Sequence, residues 1–299
     1  MSTNDILQLN TIQEYNDFLG AETLHPQVNV LDLSTLETIR HCRKNFGFYC
    51  IILKELVCGT LQYGRNQYDY QAGTLVAIGP GQISGVNDGG ETRTPKGYVL
   101  MFHPDLLYGT PLAQSIRSYT FFSYDANEAL HMSDREHQII INCLLVIREE
   151  LEYAIDKHSK KIIASNIEVL LNHCTRFYDR QFVTREVKNH DLLSRFEQML
   201  LNYFSSEKPQ NIGLPSVQYC AEQLHLSPNY FGDLIKRETG KSAQDYIQTA
   251  IVERVKERLL QTDKTVTEIA YELGFNYPQH MTRLFKKIVG QVPNEYRAF

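Results

Sequence analysis

The sequence predicts an α+β protein of two domains: a small antiparallel β-barrel with flanking helices, then an all-α domain with two helix-turn-helix units. Three observations support this fold class. Short β-like runs occupy about residues 25–125, and helical periodicity replaces them from about residue 133. The last stretch of about 85 residues contains one pattern twice, and such internal repeats define an architecture.

Apolar and β-branched runs separated by turn formers predict the barrel. The runs cover residues 28–33, 46–53, 58–63, 74–78 and 98–102. Glycine, proline and asparagine mark turns between them, including Gly73, 79–81 and 87–90. Regularly spaced short strands favour a small antiparallel barrel or sandwich.

Three helices are predicted after the barrel, within about residues 133–206. The first begins at a capping box formed by Ser133 and Glu136. Residues 205–211 are polar and break the helical pattern, so they are the best candidate for a linker. We therefore predict an N-terminal domain of residues 1–207 and a C-terminal domain of residues 208–299.

The C-terminal domain repeats itself, with units at about 215–240 and 266–290. Like residues recur 49 positions apart before a turn and 50 positions apart after it: Ala221 and Ala270, Leu224 and Leu273, Pro228 and Pro278, and Gly240 and Gly290. The spacing changes only at the turn. This indicates two copies of one helix-turn-helix unit, the second with a turn one residue longer.

Two such units at this separation predict DNA binding. In each unit a support helix positions a second helix that can enter a major groove. The helix between the units, from Ser242 to about Leu260, would be ~28 Å long at 1.5 Å per residue. With its flanking turns it would place the recognition helices about one DNA turn, ~34 Å, apart.

The second recognition helix carries suitable chemistry on one face. Gln279, Thr282 and Arg283 share that face with Lys286, and glutamine and arginine pair with adenine and guanine. In the first helix, Asn229 could read adenine and Asp233 could accept from cytosine. Residues predicted to hold the DNA backbone are Ser227, Tyr230, Lys236, Arg237, Lys286 and Lys287.

Net charge is −5, and it is uneven along the chain. Residues 211–299 carry +1 and residues 1–210 carry −6. A nearly neutral C-terminal half weighs against DNA binding, because phosphate contacts drive affinity. The objection weakens because the cations cluster at the ends of the recognition helices, whereas Glu253 and Glu257 lie on the helix between.

Residues 213–299 resemble the C-terminal domain of the AraC/XylS family of bacterial transcription regulators. The resemblance is carried by these segments: 227–231, 236–242, 269–275, 285–287, Gly290 and 293–297. It implies two DNA-facing recognition helices joined by a linker helix. It also implies base-reading positions at Asn229, Gly232, Asp233, Gln279, Thr282 and Arg283. Gly232 lacks a side chain and Asp233 is acidic, so the first unit would read few bases.

The same resemblance implies an N-terminal domain that senses an effector or forms a dimer, often as a cupin-like barrel. Residues 71–81 look like the glycine-strand-Pro-Gly segment of such barrels. Aromatic residues that could line an effector pocket are Phe48, Tyr63, Tyr70 and Phe102. The expected partners are double-stranded DNA, a small-molecule effector, a second copy of the chain and, for an activator, RNA polymerase.

The main alternative is a cupin-like ligand-binding or catalytic domain whose helical tail binds another protein. A catalytic barrel would need metal ligands, but no His-x-His pair occurs and the six cysteines include no Cys-x-x-Cys pair. We therefore expect neither an enzyme nor a metal or cofactor. No 18-residue apolar run and no secretion-signal pattern occur, which favours a cytoplasmic protein.

Overall fold

A computed structural model describes residues 6–40, 42–54, 61–63, 66–68, 73–85, 92–125, 128–184 and 186–297. The chain divides into two compact units, Met1–Thr184 and Arg185–Phe299. Strands occur in the first unit and the paired helix-turn-helix units in the second, so the predicted α+β class is confirmed. In the described part of the chain, no helix has the length and apolarity needed to cross a membrane.

Among its described residues, the first unit combines short strands with five α-helices of very different length. Its strands are β1 (Leu7–Leu9), β2 (Val28–Asp32), β3 (Ile39–Arg40), β4 (Lys44–Phe46), β5 (Tyr49–Lys54), β6 (Leu61–Tyr63), β7 (Asn66–Tyr68), β8 (Thr74–Ile78), β9 (Ile83–Ser84), β10 (Thr92–Arg93), β11 (Gly97–Phe102) and β12 (Leu130–His131). Its α-helices are α1 (Ile12–Leu19), α2 (Pro104–Leu107), α3 (Leu112–Ser115), α4 (Asp134–Glu152) and α5 (Ser159–Thr184).

The main sheet of this unit is antiparallel, with strand order β12-β8-β5-β11-β2. Smaller sheets are formed by β1, β4 and β9, by β3 and β10, and by β6 and β7. β1 runs parallel to β4. Within the described residues no ladder joins β2 to β12, so the main sheet is open, and the predicted closed barrel is corrected to an open sheet.

Helix α5 explains why the sheet does not close at β12. The His131 backbone N–H donates to Gln181 Oε1 at 2.8 Å, and Gln181 Nε2 donates to the Ala129 carbonyl at 3.3 Å. Arg180 donates to the His131 carbonyl at 2.7 Å. These side chains satisfy backbone groups that another strand would otherwise pair, and covering an edge in this way replaces closure.

Both faces of the main sheet are covered, as the alternation of its side chains requires. One face packs against α1 and β4, around a cluster that includes Tyr15, Phe46, Phe48, Cys50 and Met101. Helices α4 and α5 pack on the opposite side, and α4 buries Ile140, Leu144 and Ile147. A sheet sandwiched in this way buries its apolar residues without wrapping round on itself.

The second unit contains α6 (Glu186–Phe204), α7 (Lys208–Ile212), α8 (Val217–Gln223), α9 (Pro228–Thr239), α10 (Ala243–Gln261), α11 (Val266–Glu272), α12 (Pro278–Val289) and α13 (Pro293–Arg297). The sequence placed α6 in the N-terminal domain, but its contacts place it here. The Phe196 ring of α6 packs edge-on against Phe231, with ring centres 5.0 Å apart, and at a tilt against Tyr246, with ring centres 5.5 Å apart. The unit therefore begins before the polar stretch 205–211.

Most helix ends lie where the sequence predicts them. Ser133 and Glu136 form a capping box at α4, and Thr265 and Glu268 form another at α11. The Ser242 hydroxyl accepts the Asp245 backbone N–H at the start of α10. Helices α9 and α12 end at Gly240 and Gly290, both in the left-handed region.

Gly274 and Gly290 form a matched pair for testing the packing of the second unit. Their φ angles are +88° and +89°, but a Cβ on Gly274 would lie 2.5 Å from the Pro209 carbonyl oxygen, whereas one on Gly290 would meet nothing within 4 Å. We expect Gly290→Ala to lower the free energy of unfolding by about 1–2 kcal/mol through left-handed strain alone. Gly274→Ala should lower it further, because α7 must also move.

Urea denaturation followed by far-ultraviolet circular dichroism measures both losses. The Gly290→Ala variant serves as the control for backbone strain. Equal losses in the two variants would mean that residues 209–213 do not approach the second turn as closely as described.

Candidate nucleic-acid interface

The two helix-turn-helix units are built on the same hydrogen bonds. Leu226 N–H donates to the Ala221 carbonyl at 3.0 Å, and Phe275 N–H donates to the Ala270 carbonyl at 2.9 Å. Residues 224–227 join α8 to α9, and residues 273–277 join α11 to α12. The second turn is therefore one residue longer, which confirms the change in repeat spacing.

Each turn places one residue in the left-handed region. In the second unit this residue is Gly274, and in the first unit it is His225, with φ of 58°. A left-handed residue directly after a helix lets the next N–H groups reach back to the last carbonyls. The chain thus reverses direction the same way in both units, with a non-glycine residue under strain in the first.

A small apolar core holds each pair of helices together. Side chains buried between the helices of the two units include Ala221, Phe231, Leu234 and Ile235, and Ile269, Ala270, Met281 and Phe285. The alanines at 221 and 270 are both fully buried, which allows the support helix to lie close to its partner. These cores fix the direction in which each recognition helix points.

Two residues predicted to contact the DNA backbone lie inside this core. Tyr230 is 4% exposed and Ser227 is 3% exposed. The Ser227 hydroxyl accepts the Tyr230 backbone N–H at 3.3 Å and so caps α9. Tyr230 precedes Leu234 by one helical turn and shares its buried stripe. Both side chains are thus buried in the structure, and their contact with the DNA backbone stays a prediction.

The remaining predicted residues of α9 lie at or near its surface. Asn229, Lys236 and Arg237 are exposed, and Asp233 is half-buried. A Cβ built on Gly232 would have nothing within 4 Å, so this part of the helix faces open space. The first recognition helix presents bare backbone where a side chain would otherwise project.

Helix α12 separates an apolar face from a polar one. Met281 and Phe285 are buried, whereas Gln279, Arg283 and Lys286 are exposed. The Thr282 hydroxyl donates to the Pro278 carbonyl at 3.2 Å, which leaves its oxygen lone pairs to accept. The polar face thus offers amide, hydroxyl and guanidinium groups in succession.

Sequence reasoning missed two exposed residues at the start of α12. Tyr277 is 56% exposed, and His280 is exposed beside it with the two rings 5.3 Å apart. Both adjoin Gln279 at the end that a recognition helix directs at DNA. Their position next to Pro278, which opens the helix, was the available signal.

Helix α10 is the linker helix predicted between the units. It contacts α8, α9, α11, α12 and α13, and it buries Ile247, Ile251, Val255 and Leu259. Near its C-terminal end, Glu272 of α11 pairs with Arg258 at 3.0 Å and with Lys264 at 2.7 Å. One rigid helix therefore supports both recognition helices.

Helix α6 braces the first unit from the other side. The Tyr246 hydroxyl of α10 donates to Glu197 of α6, and burial together with this carboxylate raises the pKa of Tyr246 to about 12. The Tyr203 hydroxyl donates to the Gly213 carbonyl at 2.8 Å. Helix α6 is thus part of the scaffold that carries α9.

The second unit contains an open cavity of about 1230 Å³ beside its second helix-turn-helix. Residues that line it come from α7 and the segment after it, from α11 and from the start of α12, and include Ile212, Tyr271, Tyr277 and His280. The cavity adjoins the end of α12 that carries Gln279. A molecule bound there would contact the second recognition helix directly.

Two of the four predicted effector-pocket residues, Phe48 and Phe102, lie on opposite faces of the main sheet. Phe48 packs with Phe46 on the face of the sheet that contacts α1, whereas Phe102 stacks on Tyr49 at 4.9 Å on the opposite face. Both are fully buried in packed core. The side chain of Tyr63 and all of Tyr70 lie outside the described residues. Among the described residues, no group of His, Cys, Asp and Glu side chains is arranged to hold a metal ion.

Comparison with known proteins points to the same region. Residues 220–298 match the family described as "Helix-turn-helix domain". YobQ of Bacillus subtilis (strain 168), named an uncharacterized HTH-type transcriptional regulator, is 23% identical over 256 residues, which cover 82% of this chain and 95% of YobQ.

Two further relatives match shorter stretches of the chain. The uncharacterized transcriptional regulatory protein YesN of the same organism is 36% identical over 78 residues, which cover 25% of this chain and 21% of YesN. The TetD protein of transposon Tn10 from Escherichia coli is 31% identical over 144 residues, which cover 48% of this chain and 91% of TetD. The chain thus spans nearly all of TetD but about a fifth of YesN.

The matched residues 220–298 contain both turns, both recognition helices and the helix that joins them. The chain belongs, through this C-terminal domain, to the AraC/XylS family of helix-turn-helix transcription regulators.

Proposed function

We propose that the protein is a sequence-specific DNA-binding transcription regulator that inserts α9 and α12 into successive major-groove segments. The observation that carries this proposal is the pair of turns with matching hydrogen bonds, mounted on one helix, α10. A helical protein-interaction module would not need two readers with the same turn geometry. DNA would need both, because its major groove faces the same side of the duplex once per helical turn.

Base recognition rests mainly on the second unit. Gln279, Thr282 and Arg283 follow one another on the exposed face of α12, and glutamine and arginine form paired hydrogen bonds with adenine and guanine. Lys286 and Lys287 lie in the last turns of the same helix and would hold phosphates. Arg283 would discriminate between bases, whereas the lysines would add affinity for any sequence.

The first helix-turn-helix would contribute because α9 can come close to the DNA. Asn229 is exposed and suited to adenine, Gly232 lets the helix backbone come near the DNA, and Asp233 suits a cytosine amino group. Lys236 and Arg237 at the end of α9 would contact phosphates. Specificity is therefore unequal between the two units.

We further propose that the first unit controls the second, by binding a small-molecule effector, by pairing two copies of the chain, or by both. The two units have separate cores, and the similarity to YobQ extends well into the first unit. RNA polymerase would be a further partner if the protein activates transcription. Selecting bound DNA from a random library would give the operator and its half-site spacing together.

Replacing Arg283 tests base reading. Arg283→Ala should weaken binding to the selected operator by about 1–3 kcal/mol and relax the preference at one base pair. Lys287→Ala is the matched control, since it should weaken all sequences alike and reduce the salt dependence by about one phosphate contact. Fluorescence anisotropy on the operator and its single-base variants measures both effects. A uniform loss in the Arg283→Ala variant would exclude its reading role.

Position 232 tests whether α9 lies against DNA. Gly232→Ala should raise the free energy of unfolding by about 0.5–1 kcal/mol, because alanine favours a helix and has room here. Gly232→Glu should fold equally well but lose about tenfold or more in affinity, because a carboxylate would face phosphates. Denaturation curves and operator binding separate the two effects. Equal affinity in both variants would mean that α9 does not approach the DNA.

A further inference from the structure

The open cavity of the second unit gathers large apolar side chains that remain exposed. Ile212 is 61% exposed, Tyr271 is 54% exposed and Tyr277 is 56% exposed, and all three line the cavity. They come from three places in the chain, because Ile212 ends α7, Tyr271 belongs to α11 and Tyr277 directly precedes α12. Apolar side chains that converge on one concave surface mark a binding site, whereas single exposed ones need no explanation.

The lining of this cavity suits a flat aromatic molecule. Phe275 is buried and Leu284 is half-buried, so they lie deeper than the exposed rings of Tyr271 and Tyr277. The His280 ring meets Tyr277 edge-on, with ring centres 5.3 Å apart. Aromatic rings bind other rings by stacking or by edge-to-face contact. The volume, about 1230 Å³, is sufficient for a drug-sized molecule.

One wall of the cavity, residues 209–213, is held in place by hydrogen bonds. The Gly213 N–H donates to the Pro209 carbonyl at 2.9 Å, and the Gly213 carbonyl accepts from the Tyr203 hydroxyl at 2.8 Å. The same segment lies so close to Gly274 that a Cβ there would be 2.5 Å from the Pro209 carbonyl oxygen. A cavity that is already formed binds a ligand without the entropic cost of ordering its walls.

The carboxylates and the ammonium that line the cavity already have partners. Lys264 donates to Glu272 at 2.7 Å, and Glu272 also pairs with Arg258 at 3.0 Å. The Glu268 carboxylate accepts the backbone N–H and the hydroxyl of Thr265, at 2.7 and 2.8 Å. A charged ligand would lose hydration here without gaining an unpaired counter-charge, so the cavity favours an uncharged one.

Neutral polar groups complete the lining. Amide side chains of Asn211, Gln248 and Asn276 line the cavity together with the two tyrosines. Amides and phenols both donate and accept hydrogen bonds, so they can bind a hydroxyl or amide group without requiring charge. The ligand chemistry that fits is therefore a planar ring system with one uncharged polar group.

We propose that this cavity binds an uncharged, planar aromatic molecule and that its occupation weakens operator binding. The effect on DNA rests on the proposed function. The occupant would contact Tyr277 and His280, which lie on either side of Gln279 at the start of α12. This is the end of a recognition helix that approaches the major groove, so a molecule held there takes space that the duplex needs.

A fluorescent probe, 2-naphthol, tests binding to the full-length protein without DNA. The chain contains no tryptophan, so probe emission can be excited apart from that of the protein. We expect saturable binding of 2-naphthol. The anion 2-naphthoate and the cation 2-naphthylmethylammonium share its ring and should bind about tenfold more weakly or less.

Three variants assign the binding to this cavity. Tyr271→Ala and Ile212→Ala should each weaken 2-naphthol binding by about fivefold or more, because each removes apolar surface from the lining. Tyr153→Ala is the matched control, since Tyr153 is 71% exposed and does not line the cavity. An absence of binding, a preference for a charged analogue, or equal binding by all three variants would overturn the proposal.

Operator binding, followed by fluorescence anisotropy, tests the effect on DNA. Without probe, wild-type protein and Tyr271→Ala should bind the selected operator equally. Saturating 2-naphthol should weaken operator binding of the wild type by about fivefold or more and leave that of Tyr271→Ala unchanged. An unchanged wild type at saturation would overturn the regulatory role. Failure of the probe-free protein to prefer any DNA sequence would instead refute the proposed function, independently of the probe measurements.

Discussion

Packing of both helix-turn-helix units on α10 is the constraint on which the reading geometry depends. Ile247, Ile251, Val255 and Leu259 follow one another every four residues and are buried. Each such side chain stabilises the fold by about 1.5–3 kcal/mol when buried. Because α9, α11 and α12 all contact this one helix, neither recognition helix can turn without breaking contacts on α10. The spacing of the two recognition helices is thus set by the apolar core around α10.

Both ends of α10 are secured by polar contacts as well. Ser242 caps the N-terminus with Asp245, and Arg297 of α13 donates to the Leu259 carbonyl at 3.0 Å near the C-terminus. A guanidinium at this end donates a hydrogen bond to a carbonyl that lacks a partner in the helix, and its positive charge interacts favourably with the negative end of the helix dipole. The last helix of the domain therefore stabilises the same element that positions the first reader.

Local signals made the second unit readable from sequence. Three kinds of residue mark helix ends through contacts within a few positions in sequence: N-caps, prolines at the first helical position, and glycines after the last turn. Ser227, Pro278 and Gly290 therefore mark the ends of α9 and α12 before the fold is known. The one-residue difference between the turns followed from the repeat spacing. Such local signals do not reveal burial, however, and the burial of Tyr230 follows only from the stripe that it shares with Leu234 in the folded domain.

Long-range contacts were what the sequence left open. The period of α6 predicted a helix, but only the contact between Phe196 and Phe231 assigns it to the second unit. The strand pattern predicted an antiparallel sheet correctly, yet closure depends on which element covers β12, and Gln181 of α5 lies about 50 residues away in the chain. Phe48 and Phe102 both fell in predicted strand runs, but Phe48 lies in the bend between β4 and β5 and packs with Phe46, whereas Phe102 pairs with Tyr49 of β5.

The nearly neutral charge of the second unit weighs against DNA binding, but its acidic and basic side chains lie in different places. Several of its carboxylates are used internally: Glu272 binds Arg258 and Lys264, Glu253 and Glu257 bind Lys256 and Arg254, and Asp245, Glu268 and Glu295 bind backbone or hydroxyl groups at helix starts. These pairs lie on α10, α11 and the ends of helices.

Helix α12, by contrast, carries basic side chains that are not paired with carboxylates among the described residues. In the part of the chain that the structure describes, no ion pair involves Arg283, Lys286 or Lys287, and all three are exposed. Salt screens the attraction between a phosphate and protein charges that are farther away than about a Debye length, ~10 Å at moderate salt. The charges close to the phosphate therefore matter more than the net charge of the domain. The second recognition helix therefore presents a locally positive surface, although its domain carries only +1 overall.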